Sequence, residues 1–340
     1  MMLRSAALLT VFCLLLAACS PEEPVINSFE DRWRVLTAED AGLGTYTMPD
    51  GSRVAGQAWR NDASTPLNVT RFRTFRDELF VLRADAPEIV VLANDTLRER
   101  ARIDCGALGA AQDIAFANAT TAYATHPSSN VVSIIDLTTY SIVRTIRVDS
   151  LPNGIAAAGN QIGVACSGSG TIAIIDSRSN AVETTIPVNH APFFIEPDAA
   201  GEQFVVVSLG DGRLNGGTRT VPTLSLVNLI RRMVTSTVDL TARASEGPQQ
   251  NASGLVVTAS DYAYVPVQNG LLQISTRGRG RASAVQFEDY RSICYNPNRA
   301  ELICVKQDKR TVDVYDEYAE NRKTTTTATI DIQTLLGIAP

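Results

Sequence analysis

The sequence is poor in the side chains that metalloenzymes and nucleic-acid binders depend on. It has two histidines, His126 and His190, so one subunit cannot supply a three-histidine metal site. Lysine occurs only at Lys306, Lys309 and Lys323, and the net charge is −6, which argues against a basic face for nucleic acid. The chain has no P-loop, GxSxG, HExxH or CxxC pattern, and no GxGxxG follows a strand. Its carboxylates are too scattered to nominate a catalytic pair. These absences give a non-enzymatic reading with no cofactor. No apolar run of membrane-spanning length follows the N-terminal segment. What remains is 45% hydrophobic and 19% charged residues, a composition that folds.

The N-terminus carries its own signal. Arg4 precedes the apolar stretch 6–18, which is too short to span comfortably and ends in small residues, as secretory signals do. Leu16-Ala17-Ala18-Cys19 resembles the bacterial lipobox, which implies a lipidated Cys19 as the mature N-terminus. Ser20 at the next position resembles the outer-membrane sorting pattern. Ser20-Pro21-Glu22-Glu23-Pro24 is similar to acidic surface-export tags and equally suits a solvated tether. The expected organisation is a lipoprotein signal peptide at 1–18, a lipidated cysteine and tether at 19–31, and one domain at 32–340.

That domain repeats. Val131-Val132-Ser133-Ile134-Ile135-Asp136 is followed by a turn and Ser141 to Val148; Thr171-Ile172-Ala173-Ile174-Ile175-Asp176 is followed by a turn and Ala181 to Val188. Weaker copies centre on Ala93, Asn228, Ser275 and Asp316. The six anchors are spaced 43, 40, 52, 47 and 41 residues apart, which is the length of a propeller blade. Alternating Val, Ile and Thr between turns of Gly, Asn, Asp and Pro favour strands.

The strand before each anchor resembles the Tyr-Val-Thr-Asn motif of YVTN-type, YncE-like β-propellers. Tyr123-Ala124-Thr125-His126 and Phe80-Val81-Leu82-Arg83 are two of its six degraded versions. The resemblance implies an all-β, seven-bladed β-propeller of four-stranded antiparallel blades. Strands at 32–37, 44–48 and 52–57 make a blade lacking its innermost strand. The apolar tail at 335–339 is expected to supply it, so that the N- and C-terminal strands close the ring. Six blades with a separate N-terminal cap is the alternative.

Two further features follow from this layout. Cys294 and Cys304 flank a hairpin turn, Asn296-Pro297-Asn298-Arg299. They read either as a disulfide or as two buried apolar thiols. Arg277-Gly278-Arg279-Gly280-Arg281 falls at an outer hairpin turn and reads as solvated.

Family resemblance places ligands on the face that gathers the turns between second and third strands and the blade-to-blade connections. The candidate ligand-binding residues there are Arg83, His126, Asn153, His190, Phe193, Arg213, Tyr290 and Lys306. The glycine-rich insertion at 208–219 lies on the same face, as a loop reaching over a ligand or merely as a long loop. The layout is similar to surface propeller lipoproteins of the cobalamin-binding type. That likeness implies an outer-membrane, lipid-anchored and surface-exposed module that holds a corrinoid or other polar ligand for an outer-membrane transporter. The alternative is a docking scaffold on the cell envelope without a small-molecule ligand. An enzyme with acidic metal ligands would have to draw on Asp113, Glu196 and Asp198, the carboxylates of the predicted inner strands.

Overall fold

A computed structural model of the protein describes residues 33–39, 42–48, 52–60, 67–210, 214–215, 218–240, 252–267, 270–278, 281–327 and 335–338. The expected signal peptide, Cys19 and the tether lie outside the described residues, as does Arg213 of the insertion. The chain divides at Arg32/Trp33, and the second unit is Trp33–Pro340. Among the described residues, no helix is long and apolar enough to cross a membrane.

The second unit is a seven-bladed β-propeller of four-stranded antiparallel blades. Blades 1 to 6 run in chain order over residues 69–104, 114–147, 152–187, 192–239, 256–286 and 290–327. In each, the first strand is innermost and the next three follow outward. The seventh blade joins the two ends of the domain. Its outer three strands are Trp33–Glu39, Gly42–Met48 and Ser52–Arg60, and its inner strand is Leu335–Ile338. The two ends pair antiparallel, with Arg34 opposite Ile338 and Leu36 opposite Leu336. The expected closure is therefore the observed one: the C-terminal strand completes the blade that the N-terminal strands begin.

All six anchors end the third strand of their blades. The turn beyond explains why four of them are Asp or Asn. Asp136 Oδ1 accepts the Thr138 backbone N–H at 2.8 Å, Asp176 Oδ1 that of Arg178 at 2.9 Å, and Asn228 Oδ1 that of Arg231 at 2.8 Å. A short side-chain acceptor thus takes turn donors that have no strand partner. Three of these turns close on a residue with positive φ, at Tyr140, Asn180 and Arg232.

The core is divided among the junctions between blades. Second strands are buried on both faces, and alternate residues serve different neighbours. Leu79 and Val81 pack toward blade 7 with Leu36, Leu43 and Trp59, whereas Phe80 and Leu82 pack toward blade 2 with Ile114 and Ala122. The same split recurs at Phe204 and Val206 against Val205 and Val207. At the junction of blades 3 and 4, Gly163 makes room for a ring: a Cβ there would sit 2.5 Å from Phe204 Cε2.

The register corrects the disulfide expectation. Cys294 lies opposite Ile303 and Cys304 opposite Ile293. The two side chains therefore leave opposite faces of the hairpin. Both cysteines are buried and not bridged, with Cys304 packed among Tyr264, Leu271 and Tyr315. Desolvation raises the Cys304 thiol well above its ordinary range. Intact mass is expected not to change on reduction.

Candidate functional site: the central channel

Strand direction alternates through each blade. The turns between second and third strands and the blade-to-blade connections therefore share one face, here called the mouth. The two longest connections, 209–222 and 240–255, leave from and return to that face, before and after the outer half of blade 4. Residues 214–215 and 218–219 of the first form a small hairpin of their own.

A cavity of about 600 Å³ opens in the channel between the inner strands of blades 1, 4, 5 and 6. Its walls differ in chemistry. Blade 1 contributes Arg71 and Arg73, and blade 6 contributes Arg291. Blades 4 and 5 contribute Phe193, Phe194, Val256 and Val257.

Arg73 is a bar across this channel. Its Nε and Nη2 donate to the two oxygens of Asp113 at 3.0 and 2.9 Å, and Nη1 donates to Glu196 at 2.7 Å. One guanidinium thereby joins blade 1, the residue preceding blade 2, and blade 4. Burial works against its charge, but the Asp113 and Glu196 carboxylates outweigh that and raise its pKa. Asp113 is fully buried. Burial alone would lift its carboxyl; Arg73, then Arg71, hold it below the usual carboxylate range. Asp113 also accepts the Ile114 backbone N–H at 2.9 Å.

Arg71 is held differently. Its Nε stands 3.7 Å from Asp113 Oδ2, beyond hydrogen-bond reach. Its guanidinium carbon lies 5.3 Å from the centroid of the Phe194 ring. Among the described residues it forms no hydrogen bond, and its Nε is buried without a partner.

Most of the residues singled out from sequence are occupied inside the blades. Arg83 is buried and donates to Asp85 at 2.5 Å and to Glu88 at 2.6 Å. His126 is fully buried. Its Nδ1 lies 3.1 Å from the Gly109 carbonyl and its Nε2 2.9 Å from Ser133 Oγ. A carbonyl can only accept, so Nδ1 carries the proton and Nε2 accepts from the serine. Burial pushes the His126 pKa down, and the bond to Gly109 offsets part of that. Asn153 Nδ2 donates to Leu151 O and Ser167 Oγ. The Tyr290 hydroxyl is within 3.0 Å of Asp313 and 2.6 Å of Tyr315. Lys306 pairs with Glu288 and stands 3.5 Å from Asp313. These five residues hold strand ends together. His190 is exposed at the mouth, where its carbonyl accepts the Gly210 N–H at 3.0 Å. Of the candidates, Phe193 lines the channel.

The inner-strand carboxylates separate likewise. Asp113 and Glu196 are the partners of Arg73, whereas Asp198 accepts the Glu202 and Gln203 backbone N–H groups in the turn beyond blade 4's inner strand. No group of three His, Cys, Asp or Glu suited to a metal occurs among the described residues. Sequence reasoning passed over Arg71, Arg73 and Phe194. The signal was the alternation in Thr70-Arg71-Phe72-Arg73-Thr74, which puts both arginines on one face of an innermost strand.

No protein-family model matches the chain, and no curated protein sequence matches it. Solved structures do. Kuenenia stuttgartiensis hydrazine synthase aligns with a TM-score of 0.67 at 14% identity over 82% of this chain and 98% of that one. A protein of unknown function from Desulfotomaculum acetoxidans aligns with a TM-score of 0.65 at 11% identity over 90% and 99%. The WD40 domain of Neurospora crassa Pan2 gives 0.60 at 13% over 78% and 80%. At such identities the likeness is one of fold.

Proposed function

We propose that this protein is a non-enzymatic binding module, anchored to the outer membrane through lipid on Cys19, that takes a polar ligand at the mouth of its central channel. One observation carries the reading: the open cavity of about 600 Å³ whose wall presents the Arg71 guanidinium without a hydrogen bond. Its Nε is buried without a hydrogen-bond partner among the described residues, while the side chain is 20% exposed to the cavity; a buried donor left unbonded is costly, which favours a site completed by a ligand.

Within this class the ligand proposed is a corrinoid, held for an outer-membrane transporter. The support is the lipobox-like N-terminus, the blade completed by a C-terminal strand and the degraded YVTN repeats. Native mass spectrometry of the mature chain mixed with cobalamin tests it. A stoichiometric mass increase is expected; clean apoprotein at micromolar ligand overturns the corrinoid assignment. Loss of palmitate labelling in Cys19→Ala tests the anchor.

A docking scaffold is the second reading. Exposed Val143, Val182 and Met233 on the outer strands of blades 2, 3 and 4, with Ile230 in the turn before Met233, favour it. Co-purification of a membrane protein from detergent extracts, lost on changing these four residues, would select it.

A further inference from the structure

The channel walls define the kind of molecule that would complete the site. Asp113 is the nearest carboxylate to Arg71, and its oxygens are already engaged by Arg73 and by backbone N–H groups. Glu196 is taken by Arg73 as well. Arg71 is thus left with charge nearby but with none of its five donors satisfied among the described residues. The guanidinium carbon lies over the Phe194 ring, 5.3 Å from its centroid. A planar fork with open donors suits a two-point bond to an oxyanion. Two residues further along the strand, Arg73 spans the channel between Asp113 and Glu196, so that its own donors are taken and Arg71 is the charge left open to the cavity. Across from the arginines, Phe193, Phe194 and Val257 offer an apolar wall. Neither a simple inorganic anion nor a neutral hydrocarbon would use both surfaces.

Resting on the reading that the channel is the binding site, we propose that its ligand is an amphipathic organic anion, with the oxyanion on Arg71 and an apolar body against Phe193, Phe194 and Val257. Carboxylate and phosphate heads share this chemistry.

The test uses the mature chain and two fluorescent probes of similar shape: 8-anilinonaphthalene-1-sulfonate, which is anionic, and N-phenyl-1-naphthylamine, which is neutral. The anionic probe is expected to bind once per chain and about tenfold more tightly than the neutral one, the ratio for one charge-assisted hydrogen-bond pair. Arg71→Met, which keeps an apolar stem, should remove that preference and leave the neutral probe unchanged. Displacement by 1-naphthoate more readily than by 1-naphthyl phosphate would assign a carboxylate head, and the reverse order a phosphate; either supports the site. Gln112→Trp should block the cavity, with Ser292→Trp as a second block should the first fail to fold. Equal binding of both probes, blocked by tryptophan but indifferent to Arg71→Met, overturns the anion assignment and leaves the channel reading standing. Probe binding unaffected by a folded tryptophan variant overturns both.

Discussion

The inner strands of blades 3 and 1 hold equivalent places in the ring and are built from opposite materials. Blade 3 uses Pro152-Asn153-Gly154-Ile155-Ala156-Ala157-Ala158, and its small side chains let blade 4 close in. A Cβ on Gly154 would stand 2.4 Å from the Phe193 carbonyl. Blade 1 uses Val69-Thr70-Arg71-Phe72-Arg73-Thr74-Phe75, and its long side chains reach over the channel to Phe194 and Glu196 of blade 4. The backbone geometry is shared, so side-chain size on the innermost strand sets where the channel is filled and where it stays open. Within blade 1 the contrast sharpens: all three guanidinium nitrogens of Arg73 are hydrogen-bonded and, among the described residues, none of Arg71's is, although they are two residues apart on one face.

The largest expected effect lies outside both strands. Deleting residues 335–340 removes the inner strand of blade 7 and opens the ring, and should lower the melting temperature by roughly 10 °C if closure contributes about 4 kcal/mol. An unchanged melting point would show that the ring holds without this pairing. Arg73→Met comes next. It strands the buried Asp113 carboxylate and should destabilise by about 3 kcal/mol in denaturant titration. Gly163→Ala tests the regular region and is expected to cost about 2 kcal/mol through overpacking against Phe204, without altering probe binding at the channel.

His126 gives a smaller, pH-dependent effect in regular blade 2. Its pKa is depressed in the fold, so the unfolded chain takes up protons first as pH falls. Stability should therefore decline as pH drops below about 6.5, the ordinary histidine value, and His126→Gln should flatten that decline. The smallest effect is expected for Arg71→Met, about 1 kcal/mol or less, because the 3.7 Å charge pairing with Asp113 is lost but no hydrogen bond is. A large loss there would mean that Arg71 is a strut like Arg73.

The repeat was legible because a blade is a local object. The anchor at Asp136 or Asp176, its turn and its alternating strand are set by neighbours a few residues away, and spacing alone then implied a ring. Even the closing strand was readable, since the N-terminal blade had three strands and the tail was apolar. The site was far less legible. Arg83, His126, Asn153, Tyr290 and Lys306 stand at strand ends near the mouth, as expected, but their partners, such as Glu88, Ser133, Ser167 and Asp313, lie across turns and on other strands. Polarity at a strand end does not reveal whether the side chain is already satisfied.

Sequence by itself determined the repeating blade and its turns, because hydrophobic alternation and turn chemistry act over short distances; the choice of seven blades over six with a cap was decided by the pairing of Leu335–Ile338 with Trp33–Glu39. Tertiary structure alone decided which charges cancel. Arg73 meets Asp113 and Glu196, 40 and 123 residues away, only because the ring brings blades 1, 2 and 4 around one channel. Two arginines on the same strand face, alike in sequence, became a strut and an open donor through the carboxylates that the closed ring set within reach of one and just beyond reach of the other.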